Sequence, residues 1–268
     1  MLNNPTVEWI LFLDADVGAV NLTRSIETYM PTEQEKNINA IFYERFNGEI
    51  QSAGYLMRNH PWSHRFLAGW IEWMPRTANF STGKGDNGAL HMHLLDTVEG
   101  VSRDKRNECW HAYQRVTLYN NTYHAYVGCV KCALEGRWQF EHIRILRRGH
   151  GFSRDAVLGA VLFPDHDLFI HGDKDNMTAF YKAPIDTTQC CKDPQWQLPI
   201  PKEIFLHNRT ELRQHIINLD INVVKDLPMT MGTPDIGHCW PCCSSAPNEY
   251  WRQQFLNKVC QTAAWQNN

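Results

Sequence analysis

The chain has 268 residues, enough for one large domain, or a domain with an appendage, and a substantial buried core. Its 26 basic and 29 acidic residues give a formal charge of -3, which argues against a nucleic-acid backbone as partner. No apolar run approaches the roughly 20 residues that cross a bilayer, and no secretory signal is visible at the start.

The first element, VEWILFLD (7–14), is short and continuously apolar, and it predicts a buried strand of a parallel sheet. NAIFYERF (39–46) and SAGYLMRN (52–59) predict further strands. PWSHRFLAGWIEWM (61–74) predicts a helix with Pro61 at its first turn. Trp62, Phe66, Trp70 and Met74 recur every fourth residue there, beside Leu67 and Ile71, so this stripe is expected in the core. GDNGALHMHLLDTV (85–98) predicts a second helix after a Gly-rich turn. Such alternation implies an α/β sheet with crossover helices. RNECWHAYQRVTLYNNTYHAY (106–126) reads as helical, while FEHIRILRRG (140–149) and HDLFIHG (166–172) read as strands. From about 183 onward Pro, Cys and Trp recur without period. The expected organisation is an α/β core over 1–182 and an irregular, cysteine-stapled extension over 183–268.

Nine cysteines include CVKC (Cys129, Cys132), the pair Cys190 and Cys191, and CWPCC (Cys239, Cys242, Cys243), with Cys109 and Cys260 alone. The two C-x-x-C elements lie too far apart for a familiar zinc ribbon, so disulfides are preferred to zinc. Sequons at Asn21, Asn79, Asn120, Asn176 and Asn208 point the same way. Together these features predict the secretory pathway, in the Golgi lumen or outside the cell.

The buried strand ends on two like charges, Asp14 and Asp16. Residues two apart in a strand point the same way, so both carboxylates can reach one cation if the chain turns, as Gly18 would permit. A hard divalent ion offsets their repulsion and can polarise a phosphoryl group. The plainer reading is a pair of solvated turn aspartates. Two enzyme families share the local pattern. In haloacid-dehalogenase-like phosphatases LFLDADVG would make Asp14 the nucleophile, and LFIHGDKDN resembles their later magnesium-binding element. In metal-dependent glycosyltransferases of the A-type fold, D-x-D follows the nucleotide-binding half of the sheet.

Four segments taken in order, LDADVGAVN, IFYERFNGEI, SAGYLMRNHPWSHRFLAGW and DNGALHMHLL, closely resemble a nematode-rich family, domain of unknown function 273. That family looks like a branch of the A-type glycosyltransferases, and the resemblance covers roughly residues 7 to 180. It implies an A-type glycosyltransferase-like mixed sheet flanked by helices, with Mn2+ (or Mg2+) on Asp14 and Asp16 and a nucleoside-diphosphate sugar as donor. The acceptor would be a hydroxyl of a glycan or protein. Asp86 and Asn87 match a pair that contacts the donor sugar at the head of a helix, although Asp86 also suits helix capping. IHGDK resembles the H-x-G-x-x-K element of glycogenin-like transferases, one residue shorter on each side of the glycine. By that match His171 is the third metal ligand and Lys174 the diphosphate contact.

Glu44, Arg45 and Glu49 in YERFNGE could line the acceptor side, but a solvated, salt-bridged loop is the expectation here. His91 and His93 lie two apart on a helix and do not share a face, so they are not counted as ligands. Only thirteen residues precede Asp14, so the resemblance implies that the nucleotide-binding half is missing from the sequence as given. A secreted binding module that has lost catalysis is the remaining expectation.

Overall fold

A computed structural model describes residues 4–21, 24–77, 85–114, 116, 121–135, 137–155 and 167–172, with a few isolated positions between 208 and 218. Within them the protein is a mixed α/β structure, as expected. Strands β1 (Trp9–Leu13) and β2 (Val17–Ala19) are followed by β3 (Ala40–Tyr43) and β4 (Gly54–Arg58). Four helices come next: α1 (Pro61–Thr77), α2 (Gly85–Thr97), α3 (Arg103–Gln114) and α4 (Asn121–Ala133). Strands β5 (Ile143–Leu146), β6 (Ser153–Asp155) and β7 (Phe169–His171) complete the set.

The strands form two sheets. The larger has the order β1-β4-β3-β5, antiparallel except for the β3–β5 pair, and the smaller has the order β2-β7-β6. Strand β1 therefore departs from expectation. It is neither central nor parallel: it pairs antiparallel with β4 at the edge of the sheet, and Phe12 is 43% exposed. Phe12 stacks on its cross-strand partner Tyr55 with ring centres 4.8 Å apart, while Trp9 and Leu11 pack against the core from the other face. Apolar continuity reports burial pressure on a strand and not the identity of its neighbours.

Strand β3 is fully buried because both its faces are covered. Ala40 and Phe42 join the larger core with Phe66, Trp70 and the inward residues of α2 and α4. Ile41 and Tyr43 point the other way, against Tyr29, Leu56, Phe152 and Leu168. This alternation follows from the period of two in an extended chain. Helix α2 is buried continuously from Asn87 to Leu95 and packs against α1, α3 and α4. A helix enclosed on all sides sits at the centre of a domain.

Two details of the helices differ from the sequence reading. Phe66 and Trp70 are buried as expected, but Ile71 is 68% and Met74 38% exposed: the face of α1 turned to α2 continues through Trp73, bonded to Asp96, and buried Thr77, bonded to Gly85 O, which leaves Ile71 and Met74 to one side. The stretch read as helical falls in two helices, α3 and α4, and a disulfide between Cys109 and Cys129 joins them. Cys109, which stands apart from the other cysteines in the sequence, is thus paired, and Cys129 bonds outside its own C-x-x-C. No described helix is long and apolar enough to cross a membrane. The extension from 183, with its cysteines, lies outside the described residues apart from the isolated positions.

Candidate metal centre

The D-x-D sits at the seam of the two sheets. Asp14 follows the last residue of β1, its backbone N–H bonding to Ala53 O at 2.8 Å, and Asp16 precedes β2. A tight turn lies between them: Val17 N–H reaches Asp14 O at 3.2 Å, and the Asp14 side chain accepts the Ala15 N–H at 2.8 Å. The turn therefore does not use Gly18, which is a paired residue of β2 opposite Ile170. That pairing brings in the third member, because β7 runs antiparallel to β2 and ends on His171, opposite Val17. Gly172 then adopts φ 85°, a conformation only glycine takes freely, and its N–H returns to Asp16 O at 3.2 Å.

Asp14, Asp16 and His171 each offer one ligand atom, and these lie within 4.8 Å of one another. The His171 Nε2 is 3.4 Å from Asp16 Oδ1 and 4.0 Å from Asp14 Oδ2. Asp16 Oδ1 is buried and, among the described residues, accepts no hydrogen bond. A buried carboxylate oxygen without a donor is costly, and a cation at this point would satisfy it. The residues present therefore fit a divalent ion.

The orientation of His171 is set from behind. Its Nδ1 lies 2.8 Å from Asp155 Oδ1, at the end of β6 beside β7. With the Nδ1 hydrogen assigned to that bond, Nε2 turns a lone pair toward the two aspartates. Burial alone would raise the Asp155 pKa, but the Arg45 guanidinium and the His171 bond outweigh it and hold the carboxyl below its usual range. Asp155 is therefore an anion at neutral pH.

Glu44, Arg45 and Glu49, expected in a solvated loop, are instead buried. They belong to a tight hairpin after β3, closed by Gly48 at φ 82° and by the Arg45 N–H bond to Glu49 O at 2.8 Å. Arg45 grips Asp155 with Nε at 2.6 Å and Nη2 at 2.8 Å, and reaches Glu49 with Nη1 at 2.7 Å. Glu44 pairs with Lys131 of α4. Breaking such a buried pair by removing one partner costs about 3–5 kcal/mol.

The second pair named from the sequence stands close by. Ser52 donates its hydroxyl to Asp86 Oδ2 at 2.8 Å, its backbone N–H bonds to Asn87 Oδ1 at 2.8 Å, and the neighbouring Gln51 amide lies 3.3 Å from His171 Nδ1. Residues 51–53 thus touch Asp14, His171 and the start of α2 together. Asp86 is exposed, and among the described residues its carboxylate takes the Ser52 hydroxyl and no α2 N–H, so it does not cap the helix. Asn87 is buried, with its amide nitrogen on Glu49 Oε1 at 2.8 Å. Lys174 lies outside the described residues. His91, set aside in the sequence, is fully buried and bonds the Ile50 backbone at 3.1 Å.

The arrangement is an open carboxylate and imidazole cluster on one side, a fixed carboxylate at a helix head on the other, and a buried ionic network beneath both. A family model described as protein of unknown function, DUF273, matches residues 3–186, and the chain belongs to that family. No curated protein and no solved structure matches it.

Proposed function

We propose that this DUF273 chain is a metal-dependent glycosyltransferase, moving a sugar from a nucleoside-diphosphate donor to an acceptor hydroxyl. The observation that carries this reading is the convergence of Asp14, Asp16 and His171 around a buried Asp16 oxygen that, among the described residues, lacks a donor. Asp14 and Asp16 would hold a divalent ion, with His171 completing the set. Once bound, such an ion supplies electrostatic stabilisation of the charge that gathers on a leaving diphosphate.

The chain's own residues account for the rest. Asp14, with its side chain 52% exposed, forms the open side from which a diphosphate approaches, while Asp16 and His171 form the closed side. Asp86, oriented by Ser52, stands ready to accept a hydroxyl of the donor sugar. Lys174, just beyond Gly172, is the proposed diphosphate contact. In the transfer the bond from the anomeric carbon to the diphosphate breaks and a bond to the acceptor oxygen forms. The acceptor's proton leaves with the diphosphate.

The imidazole favours this reading over the phosphatase alternative. A phosphatase with Asp14 as nucleophile suits Mg2+, which prefers oxygen ligands throughout, and a histidine in the set departs from that preference. Oxidation of Cys109 and Cys129 to a disulfide fits the lumen of the secretory pathway, where sugar transfer to glycans takes place.

The test is calorimetric titration of the folded chain with uridine diphosphate, with and without Mn2+, beside Asp16→Ala. Binding that requires both the metal and Asp16 supports a nucleotide-sugar site. Metal-independent binding, or none, overturns it, and trapping of a phosphate-mimicking fluoride on Asp14 would move the assignment to the phosphatase.

A further inference from the structure

We infer that Asp155, clamped by Arg45, is the positioning residue of the cation site and ties it to the head of α2. The inference rests on the metal reading above and adds two residues that carry no ligand atom themselves. The geometry runs in one unbroken line. His171 Nδ1 meets Asp155 Oδ1 at 2.8 Å, and both Asp155 oxygens are gripped by the Arg45 fork. The third arm of the same guanidinium reaches Glu49 Oε2, and the other Glu49 oxygen takes the Asn87 amide and the Tyr123 hydroxyl. Asn87 stands next to Asp86, and Ser52 bonds to both. The line thus begins at a proposed ligand and ends at the carboxylate proposed to meet the donor sugar.

Three features argue that this line serves the site as well as the fold. First, the carboxylate sits on the far ring nitrogen of the proposed ligand, the arrangement that fixes the tautomer and orientation of a metal-bound imidazole. Second, a planar guanidinium bound through two parallel N–H donors holds a carboxylate in one orientation, which a lysine ammonium does not. Third, Arg45 lies between two buried carboxylates, Asp155 and Glu49, with side-chain exposures of 2%, 4% and 0% for Asp155, Arg45 and Glu49. The Asp155 carboxylate of that trio stands directly behind the ring that faces the proposed cation. A purely structural ion pair, holding the hairpin to β6, would explain the burial but not the placement of Asp155 on the ring nitrogen.

Asp167 supplies the comparison. It is as buried as Asp155 and pairs with Arg154 at 2.7 Å. Replacing Asp167 therefore disturbs a buried ion pair of the same kind at a residue assigned neither to the ligand set nor to the support of His171.

The experiment measures Mn2+ affinity by the loss of the free-ion electron paramagnetic resonance signal, on the full chain shown to be folded by circular dichroism. Asp155→Asn is expected to weaken Mn2+ binding by about 10 to 100-fold, the usual cost of losing the carboxylate behind a ligating histidine. Arg45→Lys, which keeps the charge but loses the fork, is expected to give a smaller loss, and it carries the test if Asp155→Asn does not fold. Asp167→Asn is expected to leave the affinity within about twofold of the parent. Unchanged affinity in folded Asp155→Asn and Arg45→Lys overturns the inference while leaving the metal reading intact. An equal loss in Asp167→Asn also overturns it, since the effect would then belong to buried ion pairs in general. Failure of the parent chain to bind Mn2+ removes the metal reading, and this inference with it.

Discussion

The Ser52 hydroxyl donates to Asp86 Oδ2 at 2.8 Å, joining the segment beside the D-x-D to the first turn of α2. Replacement by alanine frees the Asp86 carboxylate without removing it. Ser52→Ala is expected to lower sugar transfer by about five- to tenfold, in line with about 1 kcal/mol for one net hydrogen bond, and to leave Mn2+ affinity unchanged. A parallel fall in both would place Ser52 in the cation site and remove the separate role given to Asp86.

Gly88 sits where α2 passes the ring of Tyr113. A Cβ added there would lie 2.5 to 2.6 Å from Tyr113 Cε2, Cζ and Oη, and that ring is buried. Gly88→Ala is therefore expected to destabilise the protein by about 1–3 kcal/mol, measured by urea denaturation, despite the better helix propensity of alanine. Shortening the ring in Gly88→Ala, Tyr113→Leu should recover part of the loss relative to the two single effects. Strict additivity would mean the close approach is not the cause.

His91 is fully buried against the Ile50 backbone, and burial pushes its pKa below the ordinary imidazole value; His93 is shifted in the same direction by the same cause. Below about pH 6.5 the unfolded chain takes up a proton on His91 that the folded chain refuses. Stability should therefore fall as pH drops through the window between the ordinary value and the depressed folded one, by at most about 1.4 kcal/mol per pH unit for His91. Denaturant midpoints at pH 7.5, 6.5 and 5.5 should decline in the parent chain and decline less in His91→Gln. Equal slopes in the two chains would contradict this account.

The bond between Cys109 and Cys129 closes a loop with a sequence separation of 20. In the chain-entropy account such a loop is worth about 3 kcal/mol, so Cys129→Ser should lower the urea midpoint by a corresponding amount. Peptide mapping without reduction should recover the two cysteines on one linked fragment. Recovery of Cys129 linked to Cys132 instead would refute the pairing.

That Asp14, Asp16 and His171 would be brought together was legible in part: the two aspartates follow an apolar run, and His171 was named from the resemblance of IHGDK to a family element. The support beneath them was not. Arg45 and Asp155 are separated by 110 positions, and Glu49 meets Asn87 across 38, so nothing in either neighbourhood announces the other. YERFNGE has the composition of a solvated loop, and only the long-range pairing reverses that reading. One local clue was present: Asn47-Gly48 is a tight-turn signal, and a hairpin leaving the apolar AIFY can fold back into the interior. Strand β1 was misjudged for a related reason, since WILFL reads the same whether its neighbours lie on both sides or on one. Ile71 and Met74 belong to a stripe read at strict four-residue spacing, whereas the face that meets α2 runs Phe66, Trp70, Trp73 and Thr77, and apolar spacing alone does not choose between the two.

The seam between the two sheets has a dynamic consequence. Asp14 belongs to the end of a four-stranded sheet, whereas Asp16 and His171 flank and end strands of a sheet whose members are each three residues long. Strands that short open readily by local fluctuation. An ion held by all three side chains would rivet the small sheet to the large one, and each opening would then have to release it. Amide hydrogen exchange at Val17–Ala19 and Phe169–His171 should therefore slow when Mn2+ is added, while exchange in β3, enclosed on both faces, stays as it was.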